Sequence, residues 1–257
     1  MGSLTSKAVI LNDNGILASA ITPSDSKAEL SAKAALEQAL NQAGLPLGND
    51  HYIVATGIGG KSVSFARQHK AITTCLARGT HYLLPSARMA IDIGAESSTV
   101  LKISERGRLS DWLNHDKCAA GSGIFLQQMA ILMQTPLAEM SRLSFEAKSR
   151  ADISITCAVF AESEVIAHIH RQPPTPKEAI IAGIFSGVVS RIISLCKRLE
   201  IEREVAVTGG VALNSGLVNI IEQELGFAVL VPNSPQITAA LGAAVIAREN
   251  AGTEAGK

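Results

Sequence analysis

The sequence lacks several features that mark extracellular and nucleic-acid-binding proteins. Its 257 residues contain four cysteines, and 23 basic residues balance 23 acidic ones. Four cysteines in a chain of this length are too few for a disulfide scaffold, which favours reduced thiols or cluster ligands. A neutral chain without a run of Lys or Arg is not typical of proteins that bind nucleic acid by neutralising phosphates.

Long apolar runs and linkers are also missing. No apolar stretch approaches the roughly 20 residues that span a bilayer, and the first residues show no charged-then-apolar signal pattern. We therefore expect a cytoplasmic protein that is not embedded in a membrane. No Ser/Gly linker or low-complexity segment interrupts the chain. Its length suffices for one large domain or for two of about 100–150 residues.

Apolar periodicity predicts an α/β protein, because strand-like and helix-like segments alternate along the chain. We place a domain boundary near Ala87, which gives an N-terminal domain at 1–87 and a C-terminal domain at 88–257. The small residues at 239–244 suit close packing of the last helix, which we expect to pack back. Strands are predicted at 51–56, 89–93, 204–207 and 228–231, and helices at 26–43, from 122, from 157, from 177, at 213–224 and at 235–248.

A repeat relates residues 2–11 to residues 94–103 at an offset of 92 residues, with Gly15 and Gly107 in register. Each copy reads as a glycine-containing turn with small hydroxyl residues, then a strand, a short turn and another strand. Such turns can place hydroxyls and backbone N–H groups around phosphate oxygens. We therefore predict a duplicated phosphate-binding hairpin, with a plain β-hairpin as the alternative. The candidate ligands are Gly2, Ser3, Thr5, Lys7, Gly94 and Ser97.

The strand before the second turn carries a carboxylate, Asp92, two residues before Gly94. This carboxylate is suited to hold a hydrated Mg²⁺ near the phosphates. The first copy has only Met1 before Gly2, so the equivalent strand and carboxylate are missing. We interpret the sequence as starting late, and expect an extended version to be more stable and to bind nucleotide more tightly.

A second glycine-containing turn, at residues 207–214, follows a predicted strand and opens a helix. Gly209 and Gly210 let the backbone approach a flat ligand such as a purine or its ribose. Together with Asn214, these glycines are the candidate residues for the adenosine end of a nucleotide.

Two cysteines start helix-like stretches. Cys118 is followed by small residues and two glycines that expose backbone N–H groups, and Cys157 follows Thr156, a candidate N-cap. The positive end of a helix favours a thiolate, which acts as a nucleophile or as a ligand to a metal or iron–sulfur centre. The alternative is a buried small hydrophobe, which suits Cys75 and Cys196.

Cys118 and Cys157 supply half of the four sulfur ligands that a cubane cluster or a tetrahedral zinc site requires. A symmetric dimer would supply the other half.

Together these segments resemble the actin/Hsp70/sugar-kinase ATPase superfamily, and within it the ATP-dependent activators of 2-hydroxyacyl-CoA dehydratases and the ATPase subunits of benzoyl-CoA reductases. The resemblance implies duplicated actin-like, ribonuclease H-like ATPase domains with a nucleotide cleft between them. It is carried by residues 116–123, 156–164, 91–94, 208–214 and 2–7.

The same resemblance implies ATP and Mg²⁺ as cofactors and a dimer that shares one 4Fe-4S cluster, ligated by Cys118 and Cys157 of each subunit. ATP binding and hydrolysis would swing the subunits and drive a low-potential electron into an iron–sulfur dehydratase or reductase. Ferredoxin or flavodoxin would be the electron donor. The partner is a second copy or a paralogous ATPase subunit.

The candidate catalytic residues are Asp92 and Glu96. Family activators carry Gly-Gln-Asp after the strand carboxylate, where this chain has Ala95-Glu96-Ser97. Two alternatives therefore stay open. One is a subunit that holds the cluster without hydrolysing ATP. The other is a sugar- or acyl-group kinase of the same fold, which would leave the cysteines unexplained.

Overall fold

The computed structural model describes residues 1–46, 48, 51–115 and 120–255. Its helices and strands confirm the predicted α/β class. The strands are β1 Thr5–Asn12, β2 Gly15–Pro23, β3 Val54–Ala55, β4 Gln68–His69, β5 Met89–Ile93, β6 Ser98–Ile103, β7 Leu109–His115 and β8 Val205–Thr208. The helices are α1 Ala28–Ala43, α2 Ile72–Leu83, α3 Gly123–Leu132, α4 Leu137–Glu146, α5 Ala158–His170, α6 Lys177–Arg198, α7 Ser215–Leu225 and α8 Thr238–Ala255.

The chain divides into two compact units. The first comprises Met1–Ala90, Leu101–Asp111 and the described residues from Pro232 onward, and the second comprises Ile91–Val100 and Trp112–Val231. Helix α8 thus groups with the first unit, although it lies at the other end of the sequence. The predicted domains at 1–87 and 88–257 stay a prediction.

In the first unit, β1 and β2 form an antiparallel hairpin in which Ala8 lies opposite Ala20. Helices α1 and α8 pack on this hairpin, and α8 also packs on α2. A Cβ atom on Gly242 would overlap the carbonyl oxygen of Cys75, so α8 and α2 approach backbone to backbone. The close packing expected of residues 239–244 is therefore observed.

Strands β5 and β8 lie beside each other in the four-stranded sheet β7-β6-β5-β8. Met89, Ile91 and Ile93 of β5 are fully buried, and helices α4, α6 and α7 pack against one another. Burial on both faces explains why β5 is continuously apolar except at Asp92.

Helix α6 corrects one expectation from the sequence. It has 22 residues and is long and apolar enough to cross a membrane, although the apolar runs of the sequence predict no such segment. In the structure, 72% of its most apolar window is buried inside the protein. Its apolar surface is thus covered by the fold, and α6 is packed as a core helix.

Candidate functional site

The ends of β5 and β8 bring a carboxylate and a hydroxyl together. Thr208, the last residue of β8, is fully buried, and its Oγ1 donates a hydrogen bond of 2.8 Å to Oδ1 of Asp92 on β5. A hydrogen bond to the charged form of a carboxylate stabilises that form and fixes its orientation. Asp92 is half-buried, so its oriented carboxylate is suited to bind a cation.

The predicted repeat is confirmed in the hydrogen bonds of its two turns. The backbone N–H of Gly94 donates to the carbonyl of Ser97 at 2.9 Å, and the N–H of Gly2 donates to the carbonyl of Thr5 at 3.1 Å. β6 and β7 follow the second turn as β1 and β2 follow the first. Both copies therefore have the same turn followed by a strand hairpin.

The predicted phosphate ligands of the first copy lie in one turn. Lys7 Nζ donates a hydrogen bond of 3.2 Å to the Thr5 carbonyl, and Ser24 Oγ donates one of 2.8 Å to the Gly2 carbonyl. Ser3, which follows Gly2 in the chain, is half-buried. The lysine ammonium thus lies beside backbone for which the repeat predicts phosphate binding, and that role stays a prediction. In the second copy, Glu96 is exposed at the tip of the turn.

The turn after β8 depends on Gly209. Its φ of +87° is in the left-handed region, and a Cβ atom here would overlap the backbone of Ile93 at the end of β5. Glycine alone satisfies both conditions. The next residue, Gly210, is exposed and begins a 3₁₀ turn over Gly210–Leu213. Its backbone is therefore accessible to solvent.

Asn214 caps the helix that follows this turn. Its Oδ1 accepts a hydrogen bond of 3.0 Å from the N–H of Leu217, which makes it the N-cap of α7. Its Nδ2 donates to the carbonyl of Leu137 at 3.4 Å. The cap explains why α7 begins at Ser215, and the predicted role of Asn214 toward adenosine stays a prediction.

The beginning of α3 is joined to the turn after β5. The N–H groups of Gly123 and Ile124 donate to the carbonyls of Gly94 and Ala95, each at 2.9 Å. Buried Ser98 Oγ also donates to the carbonyl of Gly121 at 3.2 Å. The first N–H groups of α3 therefore stabilise the turn at Gly94, for which the repeat predicts phosphate binding. Cys118 lies outside the described residues, as do Asp116, Lys117 and Ala119.

Cys157 is itself the N-cap residue of α5, in place of the predicted Thr156. Within the part of the chain that the structure describes, its side chain makes no capping hydrogen bond and no disulfide. The thiol is half-buried and lies at the N-terminus of α5. Next to it, Val159 and Phe160 are 66% and 68% exposed.

Three side chains hold the segment that leads to Cys157. The carbonyl of Asp152 accepts from His168 Nε2 at 3.2 Å, Glu164 accepts from the N–H of Ser154 at 2.6 Å, and Arg191 donates to the carbonyl of Ile155 at 2.6 Å. His168 and Glu164 are thus engaged in bonds to the backbone. Sequence reasoning missed Arg191, although it is the one charged residue between Glu178 and Lys197.

The remaining described cysteines are buried, as predicted. Cys75 and Cys196 are each 0% exposed. Burial raises the pKa of the Cys196 thiol to about 12 and also raises the pKa of Cys75. Among the described residues, no group of three or more His, Cys, Asp or Glu side chains is arranged to hold a metal ion.

Known proteins resemble this chain over nearly its whole length. It is 38% identical to the 2-hydroxyisocaproyl-CoA dehydratase activator of Clostridioides difficile, covering 98% of this chain and 94% of the relative. It is 34% identical to one of the subunits of benzoyl-CoA reductase from Thauera aromatica, over 83% of this chain and 77% of the relative.

Solved structures give the same relationship. The activator of the 2-hydroxyisocaproyl-CoA dehydratase from Clostridium difficile, with bound ADPNP, superposes with a TM-score of 0.91 and 38% identity, covering 99% of this chain and 94% of that one. The actin-like fold implied by the resemblance is confirmed. Residues 1–247 match the BadF/BadG/BcrA/BcrD ATPase family, and the chain belongs to that family.

Proposed function

We propose that this protein is an ATP-dependent activator that transfers low-potential electrons to an iron–sulfur acyl-CoA dehydratase or reductase. Two relatives support this proposal, because one is named as a dehydratase activator and the other as a component of benzoyl-CoA reductase. The oriented Asp92 carboxylate and the two matching turns supply groups for a magnesium nucleotide.

For the nucleotide, we propose that Asp92 binds Mg²⁺ through its water shell and that the glycine turns at Gly2 and Gly94 bind phosphate oxygens. Lys7 would add positive charge on the side of the first turn. Exposed Gly210 would accept the adenosine. The related activator structure was solved with ADPNP, an ATP analogue, which supports a nucleotide as the ligand.

For the electron carrier, we propose that Cys118 and Cys157 of two subunits hold one 4Fe-4S cluster, which when bound supplies the low-potential electron. One observation carries this proposal: Cys157 is half-exposed at the N-terminus of α5, whereas Cys75 and Cys196 are fully buried. Val159 and Phe160 give α5 an exposed apolar surface beside that thiol, which a second subunit would cover.

Anaerobic purification followed by iron and sulfide analysis tests the cluster. One cluster per dimer corresponds to about two irons per chain. The Cys157→Ser variant should lose the iron and form a weaker dimer, whereas the matched Cys196→Ser variant should keep its iron. About four irons per chain, or zinc in place of iron, would contradict the proposal.

The nucleotide site has its own test. A Gly210→Trp substitution should fill the space next to the exposed turn and abolish ATP binding, measured by calorimetry, with the cluster retained. Normal nucleotide binding by this variant would show that the adenosine lies elsewhere.

A second candidate function is a cluster-holding subunit that does not hydrolyse ATP. Two observations favour it: Ala95 occupies the position after Gly94, and Glu96 is exposed at the tip of the turn. An ATPase assay of the cluster-loaded protein decides between the candidates.

Light scattering of the chain alone, compared with the chain mixed with a paralogous ATPase subunit, distinguishes a homodimer from a heterodimer.

A further inference from the structure

Arg191 joins two segments that lie far from each other in the sequence. Its Nη1 donates a hydrogen bond of 2.6 Å to the carbonyl of Ile155 and another of 3.4 Å to the carbonyl of Ala120. Ile155 lies two residues before Cys157, and Ala120 lies two residues after Cys118. One guanidinium nitrogen therefore contacts the backbone at two positions, each two residues in the sequence from a candidate cluster ligand.

Further contacts connect the region of Arg191 to the turn after β5. Gly121 lies near Arg191, since a Cβ atom built on it would be 3.5 Å from Arg191 Cδ. The carbonyl of Gly121 accepts from Ser98, and the N–H of Gly123 donates to Gly94. Hydrogen bonds, joined by the backbone from Ala120 to Gly123, thus connect the turn at Gly94 through Arg191 to Ile155.

The chemistry of Arg191 suits this position. Its side chain is half-buried, and in the described part of the chain its hydrogen bonds go to carbonyl oxygens, with no salt bridge to a carboxylate. Because a guanidinium stays charged at all relevant pH values, its full positive charge acts near the backbone beside Cys157. Positive charge favours the more negative, reduced form of an iron–sulfur cluster and so raises its potential.

We propose that Arg191 is a positioning residue that holds the backbone at Ala120 and at Ile155 in one arrangement and links the turn at Gly94 to it. The inference rests on the proposed function for its cluster readouts. Amide exchange in cluster-free protein tests separately whether Arg191 holds the backbone.

The test compares Arg191→Met with Arg198→Met, which removes one positive charge from an exposed position of the same helix. Hydrogen exchange of cluster-free protein is measured by mass spectrometry. Amides in peptides 120–124 and 152–157 should exchange about 10-fold faster in Arg191→Met and at the wild-type rate in Arg198→Met. Wild-type exchange in Arg191→Met would overturn the proposal.

Cluster-loaded protein gives the second readout. Iron release to a chelator should be about 10-fold faster in Arg191→Met, as for other residues that support metal ligands. The midpoint potential of this variant should be more negative, and Arg191→Lys should restore it because the charge is kept. A changed potential with unchanged exchange would overturn the positioning role and leave only an effect of charge.

The role of Arg191 can be tested even if the protein holds no cluster or if one variant does not fold. If wild-type protein holds no cluster, the proposed function fails, and the exchange data still decide the role of Arg191. If Arg191→Met does not fold, Arg191→Lys decides, because a lysine lacks the planar guanidinium and should leave the same peptides about 3-fold less protected. Wild-type protection in Arg191→Lys would then overturn the proposal.

Discussion

Thr208 Oγ1 lies 2.8 Å from Asp92 Oδ1, so the last residue of β8 orients the carboxylate of its neighbouring strand. The two residues are 116 positions apart in the sequence, and the bond depends on β8 pairing beside β5. A fully buried hydroxyl is a well-ordered donor, because few alternative partners are available to it. The carboxylate proposed to bind Mg²⁺ is thus held by the sheet itself.

We expect Thr208→Val to weaken magnesium nucleotide binding. Valine keeps the shape of threonine but removes the donor, which leaves the carboxylate less well oriented and costs about 1–3 kcal/mol. Calorimetric titration with Mg-ATP should show about a 10-fold lower affinity, consistent with the lower half of that range. Thr208→Ser keeps the hydroxyl and serves as the control. Equal affinities in all three proteins would show that the bond has no role in binding.

We expect Gly209→Ala to destabilise the protein by about 2 kcal/mol or more, because the left-handed φ and the overlap with the backbone of Ile93 both oppose a side chain. Urea unfolding measures the change in the free energy of unfolding. Gly252→Ala is the matched control, since Gly252 lies in α8 with no atom within 4 Å of a built Cβ. That control should be neutral or slightly stabilising, and the prediction fails if the two variants are equally stable.

Local patterns in the sequence predicted several elements well. β5 was predicted with its observed bounds, because four of its five residues are apolar and buried and form a short run between Arg88 and Gly94. The repeat predicted both turns, whose hydrogen bonds match. α6 begins at Lys177 as predicted, directly after Pro176, since proline is well suited to positions at a helix start.

Elements that depend on tertiary packing were missed or altered. Helix α2 contains Thr73, Thr74, Gly79 and Thr80, which favour helix only weakly, and its close packing on α8 compensates. The strand predicted at 228–231 is reduced to a single bridge between Leu230 and Ala206. The bonds of Arg191 reach residues 36 and 71 positions away, and no local pattern encodes such contacts.

The cysteines should differ sharply in reactivity. In native cluster-free protein at about pH 8, iodoacetamide should modify Cys157 and leave Cys75 and Cys196 intact. The first thiol is half-exposed at a helix N-terminus, whereas the other two are buried and have raised pKa values. Peptide mass spectrometry after short labelling measures the pattern, and labelling in urea should modify all of them. Equal labelling of Cys196 and Cys157 in native protein would contradict the structure.

The buried thiol of Cys196 should also make the protein less stable in alkali. Its pKa is raised by burial from an ordinary value of 9.0 to about 12. Below pH 9.0 the thiol is neutral in both the folded and the unfolded chain, so its contribution to stability is fully present. Above that pH the unfolded chain loses the proton while the folded chain keeps it, and unfolding becomes more favourable by up to about 1.4 kcal/mol per pH unit.

Cys196→Ala isolates this effect from the other groups that titrate in alkali. The variant should be less stable than wild type by about 1 kcal/mol near pH 8, because the smaller side chain leaves a small cavity. Urea unfolding at several pH values between about 8 and 10.5 gives the difference between the two free energies of unfolding. The advantage of the wild type should fall as the pH rises and reverse before the upper end of this range, because only the wild type has the thiol to ionise and loses up to about 1.4 kcal/mol per pH unit. A difference that stays constant across this range would mean that the Cys196 thiol ionises alike in the folded and unfolded chains.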